Sequence, residues 1–392
     1  MRVNREKIVW GTCWYNESVD TIIDFLKETE IILKTMNLSY SFVIFDAMIN
    51  RDKNEVEILK NNIECCIIQN QHPCFPNKNY GVYAIVNFAS DNNSDLVTVV
   101  DSDWKIEKNI DFVKGLLLPI IEENKEIVLP DIESGAGRSN YILGVPMMKL
   151  FYHQSSHIVK TPFPGVFAAK TDKMQSIISS VNYHFDWGGE WDIVAEAIKQ
   201  NLKIISPPLG LRGTRHRSSY SKTSDAFQIW RALFQGINEI KITGPNNNKD
   251  LYISGNFNNI KNILSGSASN QISMFLKHCR KETVSSTVYQ IYNMVLLPLA
   301  LILDGNDFSK IKLLSDFDSH KPYIKNEICY MSDIVIHSVN EAITHSELSS
   351  LEVQKRISNL SGGFMGDWNI GETKKAKERV HQQIKGVKIK WS

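Results

Sequence analysis

Strand-like and helix-like runs alternate through the first 130 residues, and this alternation confines the chain to an α/β sheet covered by helices. Residues 7–12 form a short apolar run of strand character. Residues 18–36 carry Ile22, Ile23, Leu26, Ile31 and Leu33 at helical spacing, behind Ser18 and Asp20, which suit a helix start. Residues 40–47, 63–69, 96–100 and 126–129 read as further strands. Residues 55–61, 80–90 and 110–123 read as the helices between them. Such units predict parallel β-α-β crossovers, whose ligands bind beyond the carboxyl ends of the strands.

From about residue 214 the pattern changes. Runs at 284–302, 333–343 and 351–360 look helical, and Gly- and Asn-rich patches separate them. Two domains are expected: residues 1–225 as the α/β part, and residues 226–392 as a mainly helical region. The basic stretch 374–390 reads as a solvated helix rather than a binding arm.

Charge excludes several classes. Lys and Arg number 44 against 43 Asp and Glu, a net charge of +1, so there is no footprint for bulk nucleic acid. The six cysteines form no CxxC pair, which fits a reducing compartment better than a disulfide framework or a zinc site. No secretory pattern opens the sequence, so a cytoplasmic location is expected. The most apolar run, 291–303, contains Pro298 and ends at Asp304. It falls short of the roughly 20 residues a membrane helix needs, so it reads as a buried helix.

The chemistry centres on Asp101-Ser102-Asp103, which follows the β-branched run LVTVV. Two carboxylates one residue apart at a strand end can hold a hard divalent cation against a diphosphate. The triplet alone also fits a loop of solvated acids; its position after a buried strand favours the metal site. Mg²⁺ or Mn²⁺ is the expected cofactor.

Three further blocks matter. Phe185-Asp186-Trp187-Gly188-Gly189-Glu190-Trp191-Asp192 offers glycines for close backbone approach, indoles suited to sugar rings, and the acceptors Glu190 and Asp192. It equally reads as a helix start with acids in its first turn. Arg212-Gly213-Thr214-Arg215-His216-Arg217 is the densest basic cluster and suits an anion, with His216 a candidate third metal ligand. Gly137, Arg138, Ser139 and Asn140 form a loop able to hold an anionic or polyhydroxylated acceptor, or an ordinary glycine turn. Residues 13–17 and Asp46 stand at strand ends where a nucleotide base would lie, and Lys78 opens the helix before the central strand, placed to meet a diphosphate.

In order and spacing these blocks resemble the A-type glycosyltransferase fold, and within it the glucosyl-3-phosphoglycerate synthase and mannosylglycerate synthase group. The likeness runs from about Ile8 to Arg217 through GTCWYNE, Lys78, VVDSD, GAGRSN, PFPGVFAAK, DWGGE and LGLRGTRHR. It implies a nucleotide-diphospho-sugar transferase fold, a Rossmann-like mixed sheet, followed by the helical region. It implies metal ligation by Asp101, Asp103 and His216. Donor contacts would come from Thr12, Cys13, Trp14, Glu17, Asp46, Lys78, Asp101, Ser102, Asp103 and Arg217. Acceptor contacts would come from Gly137, Arg138, Ser139, Asn140 and Trp187, and the groups at the reacting centre would be Glu190, Asp192 and Arg215. The expected reaction is hexose transfer from a UDP- or GDP-sugar to a small, anionic acceptor such as a glycerate derivative, with retention. A glycan acceptor with inversion is the alternative, with Asp192 or Glu190 as base. A nucleotidyltransferase would need a glycine-rich basic loop after its first strand, which residues 11–16 are not. A non-catalytic nucleotide- or sugar-binding module is the other rival. No nucleic-acid partner is expected, and a homodimer is allowed for. The departures are Ser139-Asn140 where the group has Val-Thr, and Cys-Trp-Tyr in the base loop.

Overall fold

The computed structural model describes residues 6–71, 78–102, 104–105, 109–134, 140, 144–145, 147–148, 152, 155–163, 165–180, 183–185, 188–214, 370–389 and 391. The chain divides into two compact units. One holds residues 1–134, 158–216 and 367–392; the other holds 135–157 and 217–366.

The first unit carries, in order, β1 (Lys7–Trp14), α1 (Val19–Thr35), β2 (Ser39–Asp46), α2 (Lys53–Asn62), β3 (Cys65–Gln69), α3 (Lys78–Asp91), β4 (Leu96–Asp101), β5 (Trp104–Lys105), α4 (Asn109–Ile121), β6 (Ile127–Val128), β7 (Asp131–Ser134), β8 (Val166–Lys170), α5 (Thr171–Ile178), α6 (Gly189–Lys199), β9 (Ile204–Ile205), β10 (Pro208–Thr214) and α7 (Ile370–Ile384). The expected α/β alternation is present, each early element within a few residues of its predicted range. The sheet is mixed rather than purely parallel. Its order is β3-β2-β1-β4-β8-β6-β9, and β8 runs antiparallel to both β4 and β6. A small second sheet has the order β5-β10-β7.

β1 leads to β2 on one side and pairs with β4 on the other, both parallel. The crossover therefore reverses direction between β1 and β4, the switch point beyond whose strand ends α/β sheets form their ligand crevice. The register there is fixed from the opposite end. Ser94 accepts the Val9 N–H at 3.1 Å and donates to the Leu96 carbonyl at 2.7 Å, while the Asp95 carboxylate accepts the Lys7 N–H at 2.8 Å. Counting along the strands, Cys13 comes to lie opposite Asp101.

The core consists of β-branched and aromatic side chains from both faces of the sheet, with Trp10, Phe42, Phe45 and Phe88 almost fully buried. Four helix exits carry an asparagine in the left-handed region: Asn37, Asn93, Asn124 and Asn201, with φ of 57°, 54°, 53° and 53°. Asparagine tolerates that conformation, so each helix stops where the chain must turn back.

α7 returns to the first unit. Ala376, Val380 and Ile384, at helical spacing, are buried, and the Tyr80 hydroxyl donates to the Ala376 carbonyl at 3.0 Å. The stretch read from its charges as a solvated helix therefore has an apolar stripe packed on α3, and its charges occupy the remaining faces. Among the described residues no helix is long and apolar enough to cross a membrane. The run 291–303 and most of region 226–392 lie outside the described residues.

Candidate active site

Lys78 stands at the first turn of α3, beside the crevice between β1 and β4. Its Nζ lies 2.6 Å from Glu190 Oε1 and 3.0 Å from Asp101 Oδ1. Asp101 ends β4 and is 21% exposed; Glu190 belongs to the first turn of α6 and is 9% exposed; Lys78 itself is 13% exposed. Three elements thus converge on one nearly buried cation. Burial alone would lower the Lys78 pKa, but the Asp101 and Glu190 carboxylates outweigh it and hold it above the ordinary lysine value. The lysine stays an ammonium throughout the physiological range.

Close backbone approach makes this convergence possible. A Cβ on Gly189 would lie 2.4 Å from the His184 carbonyl oxygen and 2.7 Å from Asn79 Cγ. Only glycine lets the start of α6 press against the start of α3. A Cβ on Gly81 would lie 2.5 Å from Cys13 Sγ, so α3 can also seat on the end of β1. The Cys13 thiol points at the Lys78 carbonyl at 3.6 Å. Burial pushes that thiol's pKa well above the usual range, which makes Cys13 a packing residue and no nucleophile.

A second cluster lies at the ends of β1 and β2, and its organiser, Arg51, escaped the sequence reading. The Arg51 Nε donates to Asp46 Oδ1 at 2.9 Å, and its two terminal nitrogens reach Glu55 at 3.2 Å and the Tyr15 carbonyl at 2.7 Å. The guanidinium carbon sits 3.6 Å from the centroid of the Trp14 ring. One arginine thereby fixes the loop after β1 against the loop after β2. Asp46 is fully buried with Oδ2 unpartnered, and burial raises its pKa despite Arg51.

The structure brings together Cys13, Lys78, Asp101 and Glu190, and separately Trp14, Glu17, Asp46 and Arg51. Thr12 is fully buried and donates to the Val100 carbonyl at 2.8 Å, stitching β1 to β4. Trp14 is fully buried, with its indole N–H donating to the Glu17 carbonyl at 2.9 Å and its ring face covered by the Arg51 guanidinium, so it shapes the loop. Glu17 accepts the Tyr15 N–H at 2.8 Å. Ser102 is buried in the turn after β4. Asp192 Oδ2 accepts the His184 backbone N–H at 3.0 Å and lies 2.8 Å from His184 Nδ1, which commits that oxygen to the entry of α6. Trp191 is a correction to the sugar-facing reading: it is 1% exposed and packs toward Phe163, their ring centroids 6.0 Å apart. Asn140 is buried in the second unit. Asp103, Gly137, Arg138, Ser139, Trp187, Arg215, His216 and Arg217 lie outside the described residues.

Among the described residues no group of three His, Cys, Asp or Glu side chains could hold a metal. Asp101 is the described member of the expected set. Its carboxylate fits a hard cation in chemistry and place: a partly exposed oxygen donor at a strand end that already holds a positive group at 3.0 Å.

No family model matches the chain, and no curated protein matches it. Solved structures do. A glucosyl-3-phosphoglycerate synthase from Mycobacterium tuberculosis, in complex with Mn²⁺, UDP and glucosyl-3-phosphoglycerate, is 18% identical and covers 60% of this chain and 81% of its own, with a TM-score of 0.47. The same synthase with Mn²⁺, UDP-glucose and phosphoglyceric acid gives the same values. Its complex with Mg²⁺ and UDP is 16% identical over 60% of this chain and 81% of its own, with a TM-score of 0.45.

Proposed function

We propose that the chain is a metal-dependent glycosyltransferase of the A-type fold. It moves a hexose from a UDP- or GDP-sugar to a hydroxyl of a small anionic acceptor such as a glycerate derivative, with retention. The observation that carries this reading is the convergence of Lys78, Asp101 and Glu190 at the point where the sheet reverses direction. A cation and two carboxylates there can meet a diphosphate, its counter-ion and a sugar hydroxyl within one small volume.

Asp101, Asp103 and His216 would hold Mg²⁺ or Mn²⁺, which when bound supplies positive charge beside the diphosphate. Lys78 would take a phosphate oxygen, and Arg215 and Arg217 would stabilise the charge on the departing diphosphate. The Arg51-braced loop, with Asp46 beneath it, would receive the base. Gly137, Arg138, Ser139 and Asn140 would hold the acceptor, and Trp187 would pack on a sugar ring. Retention, which the resemblance implies, needs no protein base. Glu190 Oε1 is paired with Lys78 at 2.6 Å and Asp192 Oδ2 with His184, so inversion would have to use the second oxygen of one of these carboxylates, open toward the acceptor.

Release of nucleoside diphosphate from UDP-glucose and GDP-mannose, with Mn²⁺ and without acceptor, tests this directly. Slow release from one donor is expected, and Asp101→Asn should lower it at least 100-fold with the fold intact by circular dichroism. No release from either donor, or an Asp101→Asn variant as fast as the parent, would contradict the reading and favour a non-catalytic binding protein.

A further inference from the structure

The Lys78 ammonium is shared by two carboxylates that arrive from different elements, Asp101 from β4 and Glu190 from α6. Without a cation between them, a nearly buried Glu190 and a partly exposed Asp101 would face one another as two anions, which is costly. The lysine is therefore the counter-ion the two carboxylates share. The same position creates a conflict. Asp101 is where a divalent cation would bind, and an ammonium 3.0 Å from its Oδ1 repels such a cation at short range in a partly desolvated site.

From this we infer that Lys78 is a resident cation that holds Asp101 against metal until a nucleoside diphosphate arrives. The inference rests on the donor-site reading above. The diphosphate draws Lys78 away from Asp101 toward its own oxygens. Asp101 is released from the ammonium, and metal and nucleotide enter as one coupled event. Glu190 keeps the other side of the ammonium, so the lysine swings about a fixed partner. Coupling of this kind is reciprocal: nucleotide raises metal affinity by the factor by which metal raises nucleotide affinity, commonly about 5- to 150-fold. The arrangement also keeps the site from collecting stray divalent ions when no donor is bound.

Mn²⁺ binding to the full chain, read from the electron paramagnetic resonance of free Mn²⁺, tests the inference with and without UDP or GDP. The parent should bind Mn²⁺ weakly alone and far more tightly with the matching nucleotide. Lys78→Met should bind Mn²⁺ alone at least tenfold more tightly than the parent, and nucleotide should then add less. Lys78→Arg, which keeps the cation, should stay at the parent's level. If Lys78→Met unfolds, Lys78→Gln, which can still donate to both acids, is read in its place. Metal affinity unchanged or weaker in the neutral variants, or tightened equally by Lys78→Arg, would overturn the inference while leaving the donor site standing. A parent that takes up neither nucleotide with Mn²⁺ would remove the donor-site reading and this inference with it.

Discussion

Gly189 and Arg51 show how single residues set the geometry of this site. Gly189 has no side chain to spare: any Cβ would collide with the His184 carbonyl and with Asn79. Gly189→Ala should cost about 1–3 kcal/mol in urea unfolding, the usual range for overpacking. Its effect on turnover should be larger, about 100-fold, because the start of α6 must retreat and carry Glu190 away from Lys78. A variant with lower stability but normal turnover would detach Glu190 from the reaction. Residue identity was legible where chemistry and position agree. Asp101 follows an unmistakable buried strand, and Lys78 opens the next helix upstream. Arg51 was not legible, since a single arginine in the turn MINRDKN has no pattern; two of its four contacts, to the Trp14 and Tyr15 carbonyls, arise only when two distant loops meet. Trp191 was misjudged for a related reason. An indole looks the same in sequence whether it faces a ligand or the core, and here it is buried.

Elements were easier to read than their arrangement. The first six strands and helices follow from apolar periodicity, because each buries one stripe or both faces in a manner the sequence must encode. The later strands are harder. β6 and β9 are two residues each, too short to carry a period, and the antiparallel entry of β8 between β4 and β6 is a pairing that no local pattern encodes. Their edge is held partly by Glu126, whose carboxylate accepts the Lys203 N–H at 2.9 Å and lies 3.5 Å from Lys173 Nζ. The Lys203 N–H, followed by Lys173, lowers the Glu126 pKa. A carboxyl depressed in the folded state lends stability that is present above its unfolded value, about 4.3, and lost as pH falls through the folded one. The parent should therefore lose stability more steeply than Glu126→Gln as pH falls from 5 to 3, in urea melts at several pH values. Parallel slopes would mean the edge does not depend on that charge. α7 illustrates the reverse case: its charges dominated the sequence, while a stripe of three apolar residues, Ala376, Val380 and Ile384, decides where it packs.

At the scale of the molecule, strand order places function. Because β1 is flanked by β2 on one side and β4 on the other, the loops after β1, β2 and β4 and the first turn of α3 border a single crevice. The sheet reversal gathers residues from positions 13 to 190 without any contact local in sequence. The Arg51 cluster lies on one flank and the Lys78 triad on the other, so the carboxyl ends of these strands are lined by paired charges. The measurement closest to the central claim is thermal unfolding of the parent chain with UDP, GDP, CDP, ADP and dTDP, each with and without Mn²⁺. A ligand that binds only the folded state stabilises it by RT ln(1 + [L]/Kd), about 2.7 kcal/mol at a hundredfold excess over Kd. One diphosphate, UDP or GDP, should raise the melting temperature clearly, and only when Mn²⁺ is present. Melting temperatures unmoved by every metal–diphosphate pair would contradict the account: the crevice would not be a nucleotide-sugar site.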